Sequence, residues 1–130
     1  MAIRYRIVKR INSLTKNKEP QYIMQAVNTG TVDLEQISYE IANECTLTEV
    51  DVQAVLIALG GKMQFHLSEG KIVDLGHLGK YKIGFKGTAQ EDASKLRVNS
   101  IKKFHLNFQP SLKMKHWLKK GVKVYKEVSK

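Results

Sequence analysis

The sequence is poor in the residues that define several protein classes. Cys45 is its one cysteine among 130 residues, which excludes a disulfide within the chain and favours a cytoplasmic protein. No apolar run reaches the ~18 residues of a membrane span. The N-terminus, MAIRYRIVKR, has no continuous apolar block. We therefore expect neither a membrane anchor nor a signal peptide.

The sequence also lacks the patterns that carry catalysis. It contains no Gly-Lys-Ser/Thr phosphate loop, no paired carboxylates with a base, and no nucleophile with a partner residue. Its histidines have no ligand-like spacing with Cys45. We expect no enzymatic activity, no cofactor, no metal site and no small-molecule substrate.

Positive charge is in excess and is concentrated in the C-terminal half. The net charge is +10, and residues 71–130 contain fifteen basic and four acidic side chains. Residues 34–70 contain one basic and six acidic side chains. A surface selected for solubility alone is the alternative explanation, but such a surface mixes the two signs. The segregation indicates binding of a polyanion.

Alternating apolar residues predict two strands near the N-terminus, Ile3–Ile11 and Gln21–Val27. A polar loop, Asn12–Pro20, separates them. We expect the two strands to form a hairpin or to add to the edge of an existing sheet.

Two helices are predicted next, with Asp33 and Thr48 as their N-caps and Gly70 at the end of the second. Cys45 falls on the apolar face of the first helix, which predicts a small core residue. Gly60–Gly61 lies inside the second helix and predicts either a close helix–helix approach or a kink. Two helices cannot enclose a core alone, so they must pack on a sheet, on a second copy, or on both.

The remaining sequence predicts a sheet and a basic helix. After a short strand at Lys71–Leu75, lysines alternate with apolar residues, and the period of two places these lysines on one strand face. The return strand is expected between Leu96 and Phe108, with a bulge near Ser100–Lys103. Pro110 suits the first turn of a helix, and the tail after it predicts a further strand or a frayed end.

Two segments carry a family resemblance. In VDLGHLGKY, Gly79 and Tyr81 match the pattern apolar–x–Leu–x–Gly–Phe–Gly–x–Phe, with Leu78 in place of the first Phe. In SIKKFHLNFQPSLKMK, Phe108 and Pro110 match the pattern Phe–x–Pro–Gly before a basic helix. With the order of elements from about Val32 to Lys120, these segments resemble the bacterial histone-like family, HU and integration host factor.

The resemblance implies an α+β fold: a helical hairpin plus a three-stranded antiparallel sheet with a β-ribbon arm and a C-terminal helix, in an HU/IHF-like intertwined homodimer. We assign residues 1–31 to an N-terminal β-hairpin extension, similar to that of a divergent HU-related subfamily. Residues 32–120 form the HU-like DNA-binding domain and residues 121–130 a basic C-terminal tail. The implied function is histone-like, architectural binding of double-stranded DNA in the nucleoid.

The expected arm departs from the family in its chemistry. Lys86–Leu96 occupies the position of the ribbon that reaches into the minor groove, but it has no proline to wedge between base pairs. It carries Glu91 and Asp92, which phosphates repel, and Gly84 stands where HU usually has arginine. We therefore expect binding without intercalative kinking.

Lysine suits phosphate contact better than base readout, and Arg97 is the one arginine after residue 10, so we expect weak sequence specificity. The expected DNA-binding residues are Lys80, Lys82, Lys86, Lys95, Arg97, Lys102, Lys103, Lys113 and Lys115.

Three alternatives remain open from the sequence. The first is an HU-like protein–protein interaction module that has lost DNA bending. The second is binding of RNA or single strands, with aromatic residues of the sheet as stacking platforms, although their spacing favours core packing. The third is a heterodimer in place of the homodimer.

Overall fold

The computed structural model describes residues 2–11 and 19–128, which fall into two compact units. The central unit is Asp33–His116, and the terminal unit combines Met1–Val32 with Trp117–Lys130. The elements are β1 (Ile3–Ile11), β2 (Pro20–Val27), α1 (Leu34–Glu44), α2 (Glu49–Ser68), β3 (Val73–Asp74), β4 (Gly79–Gly87), β5 (Ile101–Pro110), α3 (Leu112–Lys119) and β6 (Val124–Lys126). Most of the loop predicted at residues 12–20 lies outside the described residues.

The terminal unit contains a three-stranded sheet in the order β2-β1-β6. β1 and β2 pair antiparallel, as the hairpin prediction requires, and β6 pairs parallel with β1. Glu127 extends this pairing, because its backbone N–H donates to the Tyr5 carbonyl at 2.8 Å and its carboxylate lies 3.1 Å from Arg6 Nε. Within the predicted tail, Val124–Lys126 therefore form a strand.

The helices of the central unit begin at the predicted caps. The Gln36 N–H donates to Asp33 Oδ1 at 2.9 Å, and the Asp51 N–H donates to Thr48 Oγ1 at 3.2 Å. The left-handed φ of +82° at Gly70 follows the end of α2. The prediction for Cys45 was wrong, because α1 ends at Glu44 and Cys45 is an exposed, extended C-cap residue.

The sheet of the central unit has the order β3-β4-β5 and is antiparallel throughout, as predicted. The cross-strand register passes from Lys86–Lys103 to Gly87–Ile101. β5 therefore carries one extra residue here, Lys102, which confirms the expected bulge.

The β-ribbon arm is where the structure differs most from the sequence prediction. β4 ends at Gly87 and β5 begins at Ile101, and residues 88–100 contain two short 3₁₀ turns in place of paired strands. The Ser94 N–H donates to Asp92 Oδ1 at 3.1 Å, and the Arg97 N–H donates to Ser100 Oγ at 3.1 Å. Such local side-chain bonds compete with a strand ladder. Of the expected arm Lys86–Leu96, Lys86 and Gly87 are therefore the last residues of β4, and residues 88–96 fold as a loop.

Few apolar side chains are enclosed by the single chain. Among the described residues, Val52 (5% exposed) and Leu67 (7%) are the buried apolar ones, and the fully buried Ser38 donates its hydroxyl to the Leu34 carbonyl. Ile37 on α1 is 39% exposed and Phe104 on β5 is 65% exposed. A core of this size cannot offset the conformational entropy of folding.

The glycine pair in α2 adds to this picture. A Cβ at Gly60 or Gly61 would meet no atom within 4 Å beyond its chain neighbours and the nearby backbone of α2 itself. No close helix–helix contact within the described chain therefore accounts for the two glycines, and α2 continues through them without a break from Glu49 to Ser68.

Candidate nucleic-acid interface

The register of β4 against β5 sorts the side chains of the ribbon onto two faces. Successive cross-strand pairs alternate between polar and apolar, and directly paired residues share a face. The face that we call the lysine face carries the pairs Lys80–Gln109, Lys82–Asn107, Gly84–His105 and Lys86–Lys103. The opposite, apolar face carries Tyr81–Phe108, Ile83–Leu106 and Phe85–Phe104.

The aromatic residues of the ribbon pack against one another on the apolar face. The ring centroids of Tyr81 and Phe108 are 4.9 Å apart, and those of Phe85 and Phe104 are 6.0 Å apart. Because they lie opposite the lysines, they are not placed to stack on a nucleic acid bound to the lysine face.

No lysine of the lysine face forms an ion pair among the described residues, although Asp74 on β3 lies directly across from Lys80. The ion pairs of the described residues involve Arg4, Arg6 and Lys71. A shallow depression of about 310 Å³ lies on this face, between lysines of β4 and amides of β5. Lysines without an ion pair that line a concave surface attract an anion that offers several charges at once.

A second cationic site adjoins the lysine face at the end of the ribbon. A cleft of about 430 Å³ is lined by Lys80, Lys113 and Lys115, together with the first turn of α3. The backbone N–H groups of that turn and the three ammonium groups suit a phosphate. Asp74 also lines the cleft, and its carboxylate accepts a hydrogen bond from the Gly76 N–H at 2.9 Å.

Ser111 forms hydrogen bonds on both sides of this cleft and caps α3, which begins at Leu112 and not at Pro110. Its hydroxyl donates to the His77 carbonyl at 2.6 Å and accepts from the Met114 N–H at 3.2 Å. Pro110 is the last residue of β5 and not the first of the helix. The prediction that Pro110 starts the helix was therefore wrong, because the serine hydroxyl provides the cap.

We expect Ser111→Ala to lower the free energy of unfolding by about 1–2 kcal/mol, since it removes an N-cap and leaves the His77 carbonyl without this donor. Chemical denaturation followed by circular dichroism measures the change. Ser68→Ala, which removes a hydroxyl bonded within α2, is the control. Equal small effects for the two variants would contradict this role of Ser111.

The structure brings only some of the sequence-predicted residues together. Four of them share the lysine face, and Lys113 and Lys115 meet Lys80 in the cleft. Lys95 and Arg97 lie in the loop that replaces the arm, and Lys102 lies at the bulge, outside the cross-strand register.

The loop that replaces the arm keeps its negative charge. The Ser94 N–H that donates to Asp92 lowers the pKa of that carboxyl below its ordinary value. Asp92 is therefore ionised at neutral pH, and Glu91 beside it adds a second negative charge.

Neutralising this loop by Glu91→Gln with Asp92→Asn is expected to raise affinity for duplex DNA roughly three- to tenfold, because two repulsive charges are removed from the loop that joins the two strands of the lysine face. Asparagine keeps the capping bond to Ser94. The titration is followed by fluorescence anisotropy, with Glu44→Gln plus Glu49→Gln on the helices as the control pair. Unchanged or weaker binding in the loop variant would show that the loop faces away from DNA.

Sequence reasoning missed the neutral polar residues of the lysine face. His105, Asn107 and Gln109 alternate along β5, and the register sets them across from Gly84, Lys82 and Lys80. The alternation of polar and apolar residues in HLNFQ is the sequence feature that predicts their common face.

Two other site classes find no support in the part of the chain that the structure describes. Its His, Cys, Asp and Glu side chains form no group of three that could hold a metal ion. None of its helices combines the length and the apolar character needed to cross a membrane.

Comparison with known proteins places this geometry in context. A family model described as "HU domain fused to wHTH, Ig, or Glycine-rich motif" matches residues 1–126. A crystal structure from Bacteroides vulgatus ATCC 8482, described as a "putative bacterial DNA binding protein", is similar with a TM-score of 0.68 and 15% sequence identity. The similarity covers 98% of this chain and 50% of that one, so the chain spans about half its length. No curated protein matches the sequence.

Proposed function

We propose that this chain, which belongs to the HU-HIG family of HU domains fused to a winged helix-turn-helix, Ig or glycine-rich motif, binds double-stranded DNA through the lysine face of a homodimer. The single observation that carries the proposal is the segregation of the ribbon into one cationic and one apolar face. The description of the structural neighbour as a DNA-binding protein supports the same class of ligand.

The apolar surface of the central unit supports the dimer. A groove of about 360 Å³ between α2 and the ribbon is lined mainly by apolar atoms, with Leu67, Ile83, Phe104 and Leu106 among its residues. Ile37 and Val55 on the helices are also exposed. A second copy of the chain would bury these surfaces and supply the core that one chain lacks.

Phosphate contacts dominate the proposed binding. The lysine face and the cleft at α3 together present six lysines per chain: Lys80, Lys82, Lys86, Lys103, Lys113 and Lys115. In a dimer these lysines follow a duplex without kinking it, since the loop at residues 88–100 contains no proline. The role is architectural, in the nucleoid of the cytoplasm.

The experiment that tests the proposal is a titration of a fluorescent random-sequence duplex at two salt concentrations. If ~6–10 phosphates are neutralised, affinity falls roughly 10³–10⁵-fold between 50 and 200 mM salt. Competition with a single strand of matched length distinguishes duplex binding from RNA-like or single-strand binding. Absence of duplex binding at the lower salt concentration would overturn the proposal.

The sheet of the terminal unit favours a second candidate, a protein–protein interaction module. Its register places Ile3, Ile7, Met24 and Val124 on one face, and all four are exposed. An apolar sheet face suits a protein partner. Specific protein capture that survives when the lysine face is charge-reversed would favour this candidate.

A further inference from the structure

The sheet of the terminal unit has a cationic face of its own. Arg4, Arg6 and Arg10 share one side of β1, with Val8 between the last two, and Ile3 lies on the opposite side. These are three of the four arginines in the chain. We call this side of the sheet the arginine face. Guanidinium groups bind oxyanions through two parallel hydrogen bonds, which the ammonium groups of the ribbon cannot do.

Two arginines of this face already hold an oxyanion that belongs to the chain itself. Arg6 Nη2 donates to Glu127 Oε1 at 3.2 Å, and Arg6 Nε lies 3.1 Å from Oε2. Arg4 Nη1 lies 3.9 Å from Oε1 of the same carboxylate. The backbone N–H of Glu127 donates to the Tyr5 carbonyl, which anchors the residue beside β1. A carboxylate therefore occupies a site of the kind that also binds phosphate.

This internal pair is easily exchanged for an external anion. The side chains of Arg6 and Glu127 are 51% and 29% exposed, and ion pairs near the surface contribute little to stability. The two free oxygens of a phosphodiester present the same pair of acceptors to a guanidinium as a carboxylate does. A phosphate can therefore replace Glu127 without moving the arginines.

The neighbouring strand adds amides to the arginine face. Two of its four cross-strand pairs combine a guanidinium with an amide, and amide side chains commonly contact phosphate oxygens. Arg6 and Gln25 line a depression of about 310 Å³. Arg4 and Arg10 are about 20 Å apart along the strand, which is long enough for several successive phosphates of one DNA strand. The pairs are Arg4–Val27, Arg6–Gln25, Val8–Ile23 and Arg10–Gln21.

We propose that the arginine face is a second binding surface for the phosphodiester backbone of duplex DNA, and that Glu127 competes with the phosphates for Arg4 and Arg6. The inference rests on the proposed DNA-binding function. It adds a contact surface outside the lysine face and an internal carboxylate that limits affinity in the free protein.

The test titrates the full chain with a fluorescent random duplex at several salt concentrations. Glu127→Gln removes the competing charge and is expected to raise affinity roughly three- to tenfold. Glu69→Gln is the matched control, because it makes the same charge change and also breaks an exposed ion pair, with Lys71 at 3.1 Å. The control should alter affinity by less than about twofold.

The salt dependence counts the arginines that contact phosphates. Each contact contributes about 0.9 to the slope of log affinity against log salt concentration. Arg4→Gln with Arg6→Gln should therefore reduce the slope by about 1.8 per chain, and Arg10→Gln alone by about 0.9. The Arg10 variant leaves the ion pairs of Glu127 in place, so its effect does not depend on how β6 is held. Circular dichroism checks that each variant is folded.

Competition predicts that the substitutions do not add. In the Arg4→Gln, Arg6→Gln variant Glu127 has no arginines to occupy, so Glu127→Gln should then raise affinity by less than about 1.5-fold. General repulsion between this carboxylate and DNA would instead give the same increase in both backgrounds.

The possible failures are distinguishable. An increase that persists in the arginine variant, no increase with Glu127→Gln, or an unchanged salt slope with Arg10→Gln would overturn the inference while leaving DNA binding through the lysine face intact. Absence of duplex binding by the unsubstituted chain would overturn the proposed function together with the inference.

Discussion

Reversing three charges on the lysine face is expected to lower affinity for a random duplex by at least about 10³-fold at 50 mM salt. The variant combines Lys80→Glu, Lys82→Glu and Lys86→Glu, which share one face of β4. Each chain loses three phosphate contacts and gains three repulsive carboxylates, and a dimer doubles the effect. Fluorescence anisotropy with a labelled duplex measures the loss, and circular dichroism confirms that the exposed substitutions leave the fold intact.

A matched control separates position from total charge. Lys9→Glu, Lys62→Glu and Lys71→Glu change the net charge equally but lie on β1, on α2 and in the turn after α2. We expect this control to lose less than about tenfold, through long-range electrostatics alone. Equal losses in the two triple variants would mean that the lysine face has no special part in binding.

The second large effect concerns the apolar groove of the central unit. Leu106→Asp is expected to destabilise the protein by at least about 3 kcal/mol per chain and to prevent dimerisation, because it places a charge where a partner would bury a leucine. Leu106 is on the apolar face of the ribbon and lines the groove beside α2. The unfolding midpoint of the unsubstituted protein should also rise with its concentration, as for any folded dimer.

Thermal unfolding and sedimentation measure these two properties together. The unsubstituted chain should sediment at twice the chain mass of 14.8 kDa, whereas Leu106→Asp should sediment at the chain mass or aggregate. Val98→Asp is the control, since Val98 is 83% exposed in the loop between β4 and β5. A Leu106→Asp protein with the stability of the control would exclude the groove as an interface.

Sequence periodicity predicted most of the fold, because it reports which side of each element is apolar. Asp33 and Thr48 carry cap chemistry that acts within four residues, so both helix starts could be predicted from the sequence. The lysine face followed from a period of two along β4. The structure agrees in each of these places because the determining interactions are local.

Some of the features that sequence reasoning missed depend on contacts between residues distant in the chain. Others depend on competition between local hydrogen bonds and strand pairing. The cap at Ser111 is tied to His77, thirty-four positions earlier in the chain. The register of β5 against β4 places Asn107 and Gln109 across from lysines, and the backbone at Gly84 leaves room for the Asn107 side chain. The loop in place of the arm reflects Asp92 and Ser100, whose side chains bind nearby N–H groups and so displace the strand ladder.

Lysine footprinting tests the central claim most directly. The protein is acetylated with and without a saturating random duplex, and protection at each lysine is read by mass spectrometry. We predict strong protection at the lysines of the ribbon and of the cleft at α3, with little change at Lys9 and Lys62. Uniform protection, or protection confined to the terminal unit, would contradict the assignment of the lysine face as the DNA-binding surface.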